Sequence, residues 1–222
     1  MELKVDVYKT EEEQVQAIKT WWKDNAFSVI AGIVIGISVL VGYRYWTDLN
    51  QTKAQQASVL YNTILTEDNK SKNTELLKNE YSATPYAALA TLLVAKDLVV
   101  ANEYEKAEAQ LLWAIENSHD DAVKHIAQQR LARIYLSQDK ISEAENLVKG
   151  IKAVGFDAAY NDIRGDIYFE KKLFVQAKEH YRLALSALSQ GDQRYTVIKM
   201  KLDDLAQNAS TITSEDEKAN VK

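Results

Sequence analysis

Hydrophobic positions fall into two regimes along this chain. From Ala26 to Tyr43 (AFSVIAGIVIGISVLVGY) they run almost unbroken, 18 residues without a charged side chain. After Trp46 they thin to a stripe that returns every three or four residues as far as Leu205. The first regime predicts one transmembrane helix, because at about 1.5 Å of rise per residue it spans roughly 27 Å, close to the hydrocarbon thickness of a bilayer. Ser28 and Ser38 are its only polar side chains ahead of Tyr43, and a hydroxyl can bond back to its own helix. Trp21 and Trp22 precede the run, and Tyr43, Tyr45 and Trp46 close it. Amphipathic rings settle at the two membrane interfaces, which sets this segment apart from a buried core helix.

The lead-in, EEEQVQAIKTWWKDN over 11–25, places Val15, Ile18 and Trp22 on one helical face. It reads as a helical entry to the span, or as an interfacial helix able to dock on a partner. Within the span, Gly32 and Gly36 form a GxxxG that Ser28 extends by one four-residue step. Small residues on one face let another helix approach closely, so this is the candidate helix-packing site, with either a second copy or another protein as the partner.

The second regime predicts helices throughout. Ala54, Ala57, Leu60, Tyr61, Ile64 and Leu65 continue a helical stripe, Thr66–Thr74 reads as a solvated connector, and Glu75–Tyr81 as a short helix. Pro85 suits the first turn of a longer helix. Three segments then share one set of offsets. They are Ala95, Leu98, Tyr104, Ala107, Leu111, Ala114; Ala132, Tyr135, Ile141, Ala144, Val148, Ile151; and Gly165, Tyr168, Phe174, Ala177, Tyr181, Ala184. A small residue in each of two helices, repeating at this period, marks a tetratricopeptide (TPR) helix pair. The small side chains let paired helices close and neighbouring pairs stack. Asn102 with Glu105 and Ser142 with Glu145 have capping-box spacing, while Gly150, Gly155 and Gly191 punctuate the passages between repeats. No repeat ends in proline and the first-helix tryptophan is missing, so a plain helical bundle is the alternative. Residues 195–207 (YTVIKMKLDDLAQ), with Val197, Ile198, Leu202 and Leu205, read as the terminal cap of an array. The polar segment 208–222 has too little apolar content to fold. The fold class expected is therefore all-α: a lead-in over 1–25, a transmembrane helix over 26–46, a TPR-like solenoid over 47–207 and a disordered tail over 208–222.

Composition sharpens this in three ways. Seven glycines, one proline and no cysteine leave helix-forming material and exclude disulfide frameworks and thiolate metal sites. The formal net charge of −5 argues against nucleic acid, or an anionic membrane surface, as a partner for a basic face. The acidic run Glu11, Glu12, Glu13 and the absence of a small-residue cleavage site argue against a removable signal peptide. On charge alone, Lys4, Lys9, Lys19 and Lys23 narrowly outweigh Arg44 and Lys53, which favours a cytoplasmic N-terminus.

No catalytic, cofactor or metal site emerges, and no cofactor is expected. His119, Asp120, Asp121 and His125 have the wrong spacing for one helical face, so NSHDD reads as a loop with an aspartate N-cap. His180 reads as a surface residue. There is no Gly-rich phosphate loop, GxSxG or HExxH. In TPR arrays the first helix of each pair lines the concave face. Counted from the small residue, that face presents Leu92, Lys96 and Val99, then Gln129, Arg133 and Leu136, then Asp162, Asp166 and Phe169. The mix of basic, acidic and apolar side chains suits a protein segment.

The lead-in EEEQVQAIKTWWKDN, the span ending in GYRYW, and the stretches QQRLARIYL, DIRGDIY and VIKMKLDDL together resemble the ancillary SecYEG translocon subunits, YfgM-like TPR proteins of Gram-negative bacteria. The resemblance runs from about Glu11 to Gln207. It implies a single-pass protein of the bacterial inner membrane, with the N-terminus cytoplasmic and the solenoid periplasmic. It further implies association with the SecYEG translocon and with a membrane-anchored, prolyl-isomerase-like periplasmic chaperone, in a non-catalytic role that links exported proteins to periplasmic chaperones. A TPR adaptor facing the cytosol, in signalling or complex assembly, is the alternative. Self-association stays open.

Overall fold

The structure, a computed structural model, describes residues 11–66 and 70–205. The first ten residues, 67–69 of the connector, 206–207 of the expected cap and the polar segment 208–222 lie outside the described residues. Those described form helices and turns, with no strand among them. They divide into two compact units, Met1–Lys53 and Ala54–Lys222.

Helix α1 is Glu11–Thr66, and its part up to Lys53 is the described portion of the first unit. It contains the one stretch among the described residues that is long and apolar enough to cross a membrane. Ile33, Val34, Ile35 and Ile37 point in different directions around the helix, yet each keeps at least 55% of its surface exposed. A helix apolar on every side and covered on none is a helix for lipid rather than for a protein core. Ser38 Oγ donates to the Val34 carbonyl at 2.8 Å, so its hydroxyl is satisfied within the helix.

The second unit begins with the end of α1 and continues through α2 (Lys70–Glu80), α3 (Pro85–Val100), α4 (Tyr104–Asn117), α5 (Asp121–Ser137), α6 (Ile141–Val148), α7 (Asp157–Glu170) and α8 (Phe174–Ser186). A last helix, α9, occupies 193–205. Each of α2 to α7 packs on its successor, and the first helices of the pairs, α3, α5 and α7, also pack side by side. The core is strung along the array. One cluster joins α3, α4 and α5, a second joins α5, α6 and α7, and a third seats Ile198 and Leu205 of α9 on Ala177, Tyr181 and Ala184 of α8. This is the TPR-like arrangement of hairpins.

The small residues sit where two helices must touch. Ala95, Ala132, Ala107, Ala144, Ala177, Ala114 and Ala184 are all buried. At Gly165 the approach is closest: a Cβ there would lie 2.4 Å from Cδ1 and Cε1 of Tyr181. The ring has taken the space of the missing methyl.

The hairpin turns repeat in detail. Asn102, Asp139 and Lys172 have φ of 61°, 59° and 61°, the left-handed region. Each N–H bonds the carbonyl three residues back (Val99, Leu136, Phe169), and the next N–H bonds the carbonyl five back (Leu98, Tyr135, Tyr168). That pair of bonds is a Schellman motif. It corrects the capping boxes expected at Asn102 and Ser142. Helix α4 is flanked by Glu103 and α6 by Lys140, with no side-chain cap on either, and Ser142 lies inside α6. In these turns the residue ahead of the second helix is not extended (ψ 61° at Glu103 and 64° at Lys140), so its side chain is not placed to cap. In the equally short connection into α5, Asp120 has an extended backbone (φ −99°, ψ 114°) and the expected cap forms: its Oδ1 accepts from the Ala122 N–H at 2.8 Å.

Three other expectations need revision. Helix α2 starts at Lys70 instead of Glu75 because Leu77 packs with Ile64, Ala87 and Ala90 and Thr74 is also buried, so tertiary packing overrides a polar sequence. Leu65 is exposed, leaving Ala57 and Ile64 as the buried members of its stripe. Ile151, aligned with Ala114 and Ala184, lies beyond the end of a helix only 8 residues long. Gly150 at φ 71° turns the chain away there. Arg164 Nη2 then takes up the carbonyls of Val148 at 2.9 Å and Ile151 at 2.6 Å.

Gly165→Ala tests the close approach. The helix gains about 1 kcal/mol of propensity, but the methyl meets a ring that is 2% exposed, and overpacking of this kind costs about 1–3 kcal/mol. Thermal melts should show net destabilisation, relieved when Tyr181→Leu is added. A Gly165→Ala protein as stable as its parent contradicts the packing described.

Candidate functional site

Two cavities open on the face made by α3, α5 and α7. The first, about 430 Å³, lies between α3 and α5. Val99, Tyr104 and Ile134 give it apolar walls, and Lys96, Arg130 and Arg133 stand around it with no carboxylate in the lining. The second, about 390 Å³, is bounded by Ala158 and Asp162 of α7 and by Arg194, Val197 and Lys201 of α9, and shares Arg133 with the first. One arginine thus belongs to both.

Charge is distributed unevenly between them. Lys201 Nζ, from α9, bonds Asp162 Oδ1 at 2.7 Å and both carboxylate oxygens of Asp166, at 2.7 and 2.8 Å. Tyr181 Oη donates to Asp166 Oδ1 at 2.8 Å, and Arg133 Nη2 reaches Asp162 Oδ2 at 3.3 Å. Burial, then the neighbouring Asp162 charge, raises the Asp166 pKa, while Lys201 and Tyr181 pull it back. Burial and Asp166 push the Tyr181 phenol up as well. Around the first cavity the balance differs. Arg130 Nη1 donates to the Leu92 carbonyl at 2.8 Å; burial and then the charge of Arg133 lower its pKa. Neither Arg130 nor Lys96 has an ion-pair partner among the described residues.

The expected groove residues divide accordingly. Lys96 and Arg133 are exposed at the first cavity, and Arg133 meets Asp162 at the second. Leu92, Gln129 and Asp162 are buried. Asp166 is half-buried and held by Lys201, and Phe169 packs edge-on to Phe174 with ring centroids 5.9 Å apart, away from both cavities. Counting from the small residue misses Arg130, because the open face of α5 is turned by about one residue relative to that count. The α9 side chains also lie outside that count, since in sequence a terminal helix reads as a cap alone.

The histidines take supporting places. His125 Nδ1 lies 2.8 Å from Tyr160 Oη, and burial pushes that phenol up to about 12. His180, expected at the surface, is half-buried: it stacks on Tyr168 at 5.2 Å and 7°, and its Nδ1 lies 3.0 Å from Asn161 Oδ1. Among the described residues no group of three or more His, Cys, Asp or Glu is placed to hold a metal ion. On α1, Ser28 is exposed and nothing lies within 4 Å of a Cβ at Gly32 or Gly36. The small-residue face is open along both steps.

A helix suited to lipid and an array of TPR-like hairpins with cavities on its first-helix face define an anchored interaction protein. A family model described as a tetratricopeptide repeat-like domain matches residues 19–207, so the match takes in the apolar helix as well as the hairpins. The chain is 31% identical over 204 residues to the ancillary SecYEG translocon subunit of Haemophilus influenzae, covering 89% of this chain and 99% of that protein. Over 171 residues it is 30% identical to the protein of that name from Escherichia coli (75% and 83% covered), and over 201 residues 29% identical to that from Aggregatibacter actinomycetemcomitans (88% and 97%). The chain belongs to the ancillary SecYEG translocon subunit family.

Replacing Lys201 by methionine tests the network that holds α9. A carboxyl whose native pKa is raised favours the folded state most when protonated. Its contribution is full below the unfolded value of 3.8 and is lost as pH rises through the native value. Without Lys201 the native pKa of Asp166 climbs further. Urea titrations should therefore show a loss of about 1–3 kcal/mol at pH 7, discounted because Lys201 is partly exposed, and a smaller loss near pH 4. Equal losses at both pH values would mean that Asp166 is not the group Lys201 compensates.

Proposed function

We propose that this chain is a membrane-anchored, non-catalytic TPR scaffold that works beside the SecYEG translocon and links exported proteins to periplasmic chaperones. Residues 26–46 span the inner membrane, 1–25 remain in the cytoplasm, and the solenoid over 47–207 stands in the periplasm. The observation that carries this reading is the alignment: proteins named for the translocon match this chain along most of its length. The lysines ahead of the span support the orientation. A membrane-anchored, prolyl-isomerase-like chaperone is the proposed second partner, and Ser28, Gly32 and Gly36 offer a face for a helix of either partner or of a second copy. An array facing the cytosol is the competing reading, since Arg44 and Lys53 on the far side of the span leave the charge margin narrow.

Affinity purification of the tagged chain in mild detergent, against an unrelated single-span protein, is the test. Translocon subunits and the chaperone should both be enriched. Absence of translocon subunits contradicts the reading. Their presence without the chaperone retains the translocon association and removes the chaperone link.

A further inference from the structure

We infer that the α3–α5 cavity is a docking site for an extended peptide segment of another protein that carries a carboxylate beside an apolar side chain. The inference rests on the scaffold reading above and names the chemistry its partner segment presents. Five cations border the α3–α5–α7 face: Lys96, Arg130, Arg133, Arg194 and Lys201. Among the described residues three carboxylates answer them, all at the α9 end: Asp192 pairs with Arg194, and Asp162 and Asp166 bond Lys201, with Asp162 shared by Arg133. The α3–α5 end therefore keeps Lys96 and Arg130 unneutralised, in a chain whose net charge is −5.

The position of Arg130 supports the same conclusion. One guanidinium nitrogen is spent on the Leu92 carbonyl, which holds the group at the cavity with its remaining donors unassigned. Two arginines three residues apart on one helix repel each other, a smaller contribution than burial to the lowered pKa of Arg130. A carboxylate lying across them relieves that repulsion and is gripped by charge-assisted hydrogen bonds. Beside it, Val99, Tyr104 and Ile134 accept an apolar side chain, which supplies the burial that charge alone does not. Two such features next to one another describe a short acidic–apolar sequence rather than a free anion.

The test uses the purified full-length chain in detergent and the fluorescence anisotropy of a short labelled peptide repeating glycine, leucine and glutamate. A counterpart with lysine in place of glutamate is the control. The acidic probe should bind, weaken as salt is raised, and lose about tenfold or more in affinity with Arg130→Gln plus Arg133→Gln. Lys96→Glu, at an exposed residue with no ion-pair partner among the described residues, should weaken binding without altering the melting temperature, which separates recognition from folding. Equal binding of the lysine probe, or unchanged affinity in both variants, overturns the inference. Binding that appears only after residues 208–222 are removed also overturns it, since the chain's own Glu215, Asp216 and Glu217 would then be the occupant. No translocon is present in this assay. Failure here with translocon enrichment intact refutes the docking site alone, and the converse refutes only the scaffold reading.

Discussion

The absence of side-chain bulk where helices meet is the constraint from which the rest follows. Because residue 165 is glycine, the Tyr181 ring lies against α7 where a Cβ would be. Because the ring lies there, its hydroxyl reaches Asp166. Asp166, with Asp162, then holds Lys201 and so draws α9 against the preceding hairpin. Helix α9 in turn supplies one wall of the second cavity. A missing methyl group is linked through one phenol and two carboxylates to the shape of the second cavity.

That linkage also sorts the charges. Buried carboxylates are costly unless compensated, so the α7–α9 end of the face uses its cations internally. The α3–α5 end has no such obligation, and its cations stay available beside apolar walls. Among the described residues one face thus has an end whose charges are paired internally and an end where Lys96 and Arg130 are not. The separation arises from which helices carry aspartate at the third position before the small residue and the first after it.

Much of the fold was legible because the governing signals are periodic. The alanines at 95, 107, 114, 132, 144, 177 and 184 are conspicuous in sequence and occupy the contacts they imply. The apolar run from Ala26 needs only its length and lack of charge to be read. What stayed hidden depends on geometry that composition does not encode. The hairpin turns place asparagine, aspartate and lysine at left-handed φ, and nothing about Lys172 announces this. Helix α2 extends through polar residues because Leu77 has a pocket to fill. Arg130 and Lys201 are ordinary surface cations until α3 and α7 come alongside them. Candidate sites suffer most, since counting along one helix cannot report what another presents to it.

The functional account turns on compartment. The span is apolar on every side, and on the proposed reading the hairpins recognise partners, so the side of the membrane on which they stand determines which partners they can meet. An enzyme reporter that is active only outside the cytoplasm, fused after Ser210 of the full chain, measures this directly. The account predicts reporter activity from that fusion and none from a fusion ahead of the lead-in. An intact, membrane-integrated Ser210 fusion without activity would put the array in the cytosol and contradict the account.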